Sequence, residues 1–366
     1  MKVRDICLLL DEIAPPGSAY SWDKSGLHTG DPDSEVCGVL VSLTVEPDTV
    51  KEAKRRKASL IVAHHPLIWT PLASLRRDDP CAALCLALAE ANIACYSAHT
   101  NLDVVREGVS HCLGKVLEIE DMHPLLPVEH ARLVKLVTFV PPDYLEILRT
   151  AVCDAGAGKI GDYTECTFSA PGTGTFKPAA TADPFSGRKG VLNSEPELRF
   201  ETLVPKVRLD RVLRAMFEVH PYEEPAYDII ALENPDPETG LGARGRLKAG
   251  ISLGRFAEDV RSRLRTDHVR VAGELKRKVQ QVAVIGGSGG SELKRVPRDV
   301  DVVVTGDVKY HEGLEARQRG LAVIDAGHEI TERPIVPVLA QYLRKRCKGL
   351  RVYAYAEPQL FKIVTK

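Results

Sequence analysis

No stretch of this chain approaches the roughly 20 consecutive apolar residues that a bilayer-spanning helix needs. The opening Met1-Lys2-Val3-Arg4-Asp5 leads into a short apolar run with Asp11 and Glu12 close behind, so no signal peptide is expected. The net charge of -1 withholds the surplus of Lys and Arg that non-specific binding to nucleic acid or an anionic membrane requires. CxxC pairs are absent as well. The nine cysteines are odd in number and scattered, and the nearest two, Cys81 and Cys85, fit one helix face. Reduced thiols in a cytoplasmic protein are the expectation. Cys153 and Cys166, flanking a glycine-rich stretch, are the weaker alternative of a redox pair. Walker spacing is missing from both glycine-rich stretches.

What is present fits a soluble globular protein, with 44% hydrophobic and 27% charged residues. At 366 residues the chain is long for one core, so two domains are expected. Leu60-Ile61-Val62-Ala63 reads as a buried strand that stops at Pro66. His64 and His65 sit at that stop, the carboxyl end of a strand, where α/β sheets place ligands. One buried, hydrogen-bonded histidine and one exposed would explain the pair equally well. Two further segments weigh against that. Ala94-Cys95-Tyr96-Ser97 is a second short buried strand, followed by His99 and Asp103. Leu321 to Ala326 is a third, followed by Gly327-His328 and the start of a helix that carries Glu332. One helical turn brings His328 and Glu332 onto one face, about 5–6 Å apart at Cβ. His64, His65, Asp103, His328 and Glu332 exceed one closed tetrahedral site. A pair of divalent ions bridged by a carboxylate fits them better, with Zn, Fe, Mn or Ni all suited to such donors.

Together, His64-His65-Pro66, His99-Thr100-Asn101-Leu102-Asp103, Thr305-Gly306-Asp307-Val308-Lys309-Tyr310-His311 and Gly327-His328-Glu329-Ile330-Thr331-Glu332 resemble the Nif3-like family, also labelled GTP cyclohydrolase 1 type 2 homologs. Ala14-Pro15-Pro16 and Trp22-Asp23-Lys24-Ser25-Gly26-Leu27 are similar to its opening motif. The likeness runs over nearly the whole chain outside a central insertion. It implies an α/β fold of Nif3-like mixed sheets with helices. It also implies hydrolytic opening of the imidazole ring of GTP, and a homohexamer with three-fold symmetry. One departure stands out: near Leu43 the family usually carries an acidic residue, and here Thr44 takes its place.

Read in order, residues 1–130 give alternating helices and strands, the pattern of a mixed or mainly parallel sheet. Trp22 to Gly30 reads as a loop, with Trp22 a packing anchor rather than a substrate platform. Residues 131–233 change register. Strands, two helices and the tract Gly156 to Tyr163 form a ferredoxin-like α+β inserted domain resembling PII and CutA proteins. The glycine tract reads as turn chemistry or as an anion nest. His220, Glu223 and Glu224 read as turn residues, with metal binding the lesser alternative. Asn234-Pro235-Asp236-Pro237 marks a linker. Residues 234–366 complete the first domain. There Gly286, Gly287, Ser288, Gly289 and Gly290 follow a strand and present either a phosphate-binding loop or a tight turn that leaves clearance around metals. Asp307 and His311, four apart, read as a pair that orients ligands or moves protons, or as a structural polar pair. The apolar tail Phe361-Lys362-Ile363-Val364 reads as packing or pairing at an edge, which favours assembly.

The chemistry expected of two metals is hydrolysis of a small molecule, a nucleotide on the family label, with His99 transferring protons. No motif reads guanine, so a phosphoester or amide substrate stands equally. A metal-binding regulatory or scaffold protein is the alternative class, favoured by the insertion. An open coordination position facing a cavity separates the two.

Overall fold

Short runs of Val, Ile, Leu and Ala with no polar face build the first sheet. In the computed structural model, which describes residues 1–128 and 131–362, Gly38–Ser42, Leu60–Ala63 and Ala94–Ser97 are buried at every position. Burial on both faces is what parallel strands covered by helices require. These three pair in parallel, Arg351–Ala354 joins beside Gly38–Ser42, and Gly26–Thr29 adds an antiparallel edge against Ala94–Ser97. The stretch from Trp22 to Gly30 is therefore not all loop; none of the four residues of its edge strand is buried, so no apolar signal marks it. The register sets Ala63 beside Ser42 and Ser97. Residues 43–44, 64–65 and 98–99 thus leave the sheet together at its carboxyl edge.

In the second sheet, Lys278–Ser288, Val302–Gly306 and Ala322–Asp325 are parallel neighbours. Arg270–Ala272 flanks them on one side, and Gly240–Ser252 and then Glu120–Pro127 on the other, all antiparallel. Glu120–Pro127 contains two prolines and lies at the edge, where a missing N–H costs no ladder bond. Gly286, Gly287 and Ser288 continue the strand rather than turn. Mixed α/β sheets with helices are thus what the chain forms.

Residues 1–128 with 238–362 make one compact unit and residues 131–237 another. The second unit runs strand Arg132–Val140, helix Leu145–Asp154, strands Thr167–Phe176 and Asn193–Pro205, helix Leu209–Val219, strand Tyr227–Pro235. Its four-stranded sheet is antiparallel, with Asn193–Pro205 and Arg132–Val140 at the centre. Leu136, Leu148, Val152, Phe200, Val212 and Met216 fill its core. The stretch read as a linker belongs to this unit: Asn234 and Pro235 end the last strand, and the buried Asp236 donates its N–H to Ala131 O. The glycine tract is a turn, with Gly158 N–H donating to Leu203 O. All nine cysteines are free, Cys153 and Cys166 included. Among the described residues no helix is long and apolar enough to cross a membrane. In the tail, Phe361 is exposed, and Ile363 and Val364 lie outside the described residues.

Candidate metal centre

Four imidazoles converge at the carboxyl edges of the two sheets, each anchored through Nδ1. Buried His64 places Nδ1 2.8 Å from Ala98 O. A carbonyl only accepts, so Nδ1 carries the proton and Nε2 is the atom left to ligate. Nε2 is buried without a hydrogen-bond partner, 3.6 Å from both Asp103 Oδ1 and Glu332 Oε1. His65 holds Thr44 Oγ1 through Nδ1 at 2.8 Å. His99 Nδ1 lies 2.7 Å from Asp23 Oδ1, and His328 Nδ1 2.7 Å from Asp307 Oδ2. An imidazole tied at one nitrogen has its ring plane and tautomer fixed, as metal-ligating histidines do.

Glu332 is the hub. The five-residue helix His328–Glu332 buries it, with Oε2 2.9 Å from His65 Nε2 and Oε1 3.1 Å from His328 Nε2. The ligand atoms of His64, His65 and Glu332 lie within 4.8 Å of one another, and so do those of His64, His99 and Asp103. His99, read from the sequence as a proton-transfer group, lies just before the one-turn helix Thr100–Asp103, where its ring is also close enough to Asp103 and His64 to share a metal ion with them.

Opposing forces set the charges. Burial disfavours the His64 imidazolium, but the Asp103 and Glu332 carboxylates outweigh it and raise its pKa to about 9. The Glu332 hydrogen bond carries His328 to about 9 as well, against burial and with help from Asp307. Burial drives Asp103 up to about 6, although His64 opposes it. Glu332 is buried too, yet the imidazoles hold it well below the ordinary carboxylate range. Burial lowers His65, with Glu332 opposing.

The glycine-rich segment does not form a phosphate cradle. The Gly286, Gly287 and Gly289 N–H groups already donate to the hydroxyls of Ser110, Thr331 and Thr305. Ser288 lies in the strand, and Gly290 begins a 3-10 turn against Glu312. What the glycines supply is clearance: Gly287, at φ +68°, faces the Glu332 carboxylate. Asp307 and His311 part company. Asp307 lies outside the helix Tyr310–Gln318, at φ 55°, so the four-residue spacing does not align them. Asp307 holds His328, whereas His311 is exposed and packs on Tyr310.

The sequence reading assigned no role to three contributors. The Asp23 side chain is fully buried and orients His99 while accepting from Thr100 and Ser25. Thr44 does not leave the strand end empty; its hydroxyl serves His65. Glu357 binds the N–H groups of Leu43 and Thr44. A lone Asp or Glu in a loop carries no periodicity, so only the neighbouring Trp22 and Ser25 could have marked Asp23. Trp22 itself is no core anchor. It is 54% exposed, stacks on Tyr20 with centroids 5.5 Å apart, and with Trp69 flanks His99. On the other side, His65 and His328 open into a cavity of about 540 Å³.

The family model for Duf34/NIF3 (NGG1p interacting factor 3) matches residues 1–358. A protein of Bacillus subtilis (strain 168) named GTP cyclohydrolase 1 type 2 homolog is 40% identical over 326 residues, 89% of this chain and 87% of that one. Its namesake in Halalkalibacterium halodurans is 38% identical over 323 residues, 88% of this chain and 87% of that one. The crystal structure of a Bacillus cereus protein related to NIF3 superposes with a TM-score of 0.86 at 36% identity, over 100% of this chain and 99% of that one. Matched from residue 1 to residue 358, the chain belongs to the Duf34/NIF3 family.

Proposed function

We propose that the cluster holds two divalent cations and that this protein is a metal-dependent hydrolase. The observation that carries the reading is the overlap of two donor groups at His64, whose unpaired, buried Nε2 faces two carboxylates. An imidazole nitrogen has one lone pair, so His64 serves one ion, and Glu332 or Asp103 is the group able to reach both. His65, His99 and His328 complete the sets. Such donors suit Zn, Fe, Mn or Ni. Bound cations supply Lewis acidity, which activates water and polarises the bond to be cut. The protein's own groups fix the geometry: Asp23, Thr44 and Asp307 hold three imidazoles by Nδ1, and Ala98 O holds the fourth.

The names of the relatives support a nucleotide whose ring is opened. The exposed indoles of Trp22 and Trp69 beside His99 support a planar substrate. Related phosphoester or amide hydrolysis would use the same groups. The half-exposed His328 and the cavity beside it favour an open site over a closed metal store. Elemental analysis of the purified protein comes first. The native metal is then restored and GTP, phosphoesters and amides are offered, with loss of the purine absorbance reporting ring opening. Turnover that vanishes with Glu332→Ala supports the hydrolase; metal binding without turnover on any class favours the regulatory or scaffold reading.

We propose further that the chain assembles with three-fold symmetry, as a homohexamer. The edge strand Tyr227–Pro235 leaves Tyr227, Ile229 and Ile230 exposed, a liability that self-association covers. Light scattering tests it, and a mass near the 40.1 kDa of one chain rejects it.

A further inference from the structure

Glu357 lies three residues past the strand Arg351–Ala354, which pairs in parallel with Gly38–Ser42. Tyr355 N–H donates to Val41 O at 2.8 Å, so the chain leaves the sheet beside the end of Gly38–Ser42. There Glu357 Oε1 accepts the N–H of Leu43 at 2.7 Å and of Thr44 at 2.8 Å. Two amides on one carboxylate oxygen make a charge-assisted grip. The same two residues hold His65: Leu43 O accepts the His65 N–H at 2.8 Å, and Thr44 Oγ1 lies 2.8 Å from His65 Nδ1. The remaining Glu357 oxygen, Oε2, is buried without a partner. An acid kept there against that desolvation cost points to a role beyond filling space. Three residues on, Leu360 N–H donates to Glu329 Oε2 at 3.2 Å, next to His328. The segment from Glu357 to Leu360 therefore touches the support of His65 and the residue that follows His328 in the chain.

We propose that Glu357 is a positioning residue for His65, setting the imidazole from the C-terminal segment through the strand end and the Thr44 hydroxyl. The proposal rests on the metal-binding reading above. It also gives Thr44 a role: the carboxylate comes from elsewhere in the chain and the threonine relays its hold.

The test measures Co²⁺ affinity by competition with a chromogenic chelator, and Co²⁺ absorption bands as a report on ligand geometry. Glu357→Ala and Glu357→Asp are expected to weaken binding about tenfold or more and to shift the bands. Glu357→Gln, whose amide oxygen still accepts both N–H groups, keeps both near wild type. Combined with Thr44→Val, Glu357→Ala costs less than the product of the two separate losses, because both act on one imidazole. The Asp variant covers the case in which the Ala chain does not fold. Unchanged affinity in a folded Ala or Asp variant, or losses that simply multiply, overturns the proposal. A Glu332→Ala control separates the two levels. Cobalt held equally by that variant and wild type rejects the metal reading and this proposal with it; cobalt lost there but retained by Glu357→Ala rejects only the role of Glu357.

Discussion

A Cβ on Gly287 would lie 2.2 Å from Glu332 Oε1 and 3.3 Å from His328 Nε2. The backbone at Gly287 is left-handed, φ +68°, so a side chain there is strained before it meets anything. Gly287→Ala is expected to cost about 1–2 kcal/mol from the backbone alone. It also pushes aside the carboxylate at the hub of the cluster. Calorimetry should show a lower Tm, and elemental analysis a larger proportional fall in bound metal. A variant with wild-type metal content would show that the close approach is unrelated to binding.

Removing Glu332 or His65 isolates the donors themselves. Glu332 faces three imidazole nitrogens, at 2.9 to 3.6 Å. Glu332→Ala and His65→Ala are each expected to lower metal affinity by more than about tenfold while the chain stays folded, since supporting groups alone are worth that much. Circular dichroism and metal analysis of the same samples check both halves. Full occupancy in both variants would falsify the ligand assignment.

Asp23 makes a pH-dependent contribution. Burial opposes its ionisation, but hydrogen bonds from His99, Thr100 and Ser25 hold its pKa well below the ordinary carboxylate range. A depressed carboxylate stabilises the fold fully above its unfolded pKa, near 4, and loses that contribution as pH falls. Asp23→Asn is expected to destabilise by about 2 kcal/mol at pH 7, because one donor among its partners then faces an amide NH₂. The difference from wild type should narrow below about pH 4 in chemical denaturation. A gap that stays constant from pH 7 to pH 3 rules the account out.

The strands that carry the site were legible because they are short, apolar and buried on both faces, as with Leu60–Ala63 and Ala322–Asp325. His64 and His65 could be named because they follow such a strand directly, and Asp103, His328 and Glu332 because they lie on or at the short turn of helix that comes next after one. The supports could not. Asp23 lies 76 residues from His99 and Glu357 lies 313 from Thr44, so only the folded sheet brings them together. Gly240–Ser252 hid behind four glycines, and Glu120–Pro127 behind two prolines. For Asp307 and His311 the rule of four-residue spacing failed because the helix begins after Asp307.

Acid should act on the second unit through His220. Its Nε2 lies 3.0 Å from Phe139 O, and its Nδ1 accepts the Tyr222 N–H at 3.2 Å. Only the neutral ring with its proton on Nε2 satisfies both, so protonation sets two donors against each other. Burial lowers its pKa, against the Phe139 hydrogen bond and the nearby Glu197 charge. The stability it confers is present above about pH 6.5 and is lost as pH falls towards the depressed folded value. In His220→Phe, the fall in stability between pH 7 and pH 5 is expected to flatten. An unaltered slope would show that other groups govern it.

The two units should also separate by design. The core of the second unit is built wholly from its own residues, Leu136, Leu148, Val152, Phe200, Val212 and Met216 among them. The four remaining core clusters draw only on residues outside it. No donor of the proposed cluster, and none of Asp23, Thr44, Asp307 or Glu357, lies between 129 and 237. A domain with its own core is able to fold alone, and its removal exposes little of another core. Excising residues 129–237 and bridging Val128 to Glu238 with a short glycine-serine linker is therefore expected to leave a folded chain. That chain should keep the metal affinity of the parent within about threefold, the variation typical of sites that share no contacts. Chelator competition on the soluble product measures it. Loss of solubility and metal together would mean that the first unit depends on the second; loss of metal alone would place part of the site outside the residues assigned to it.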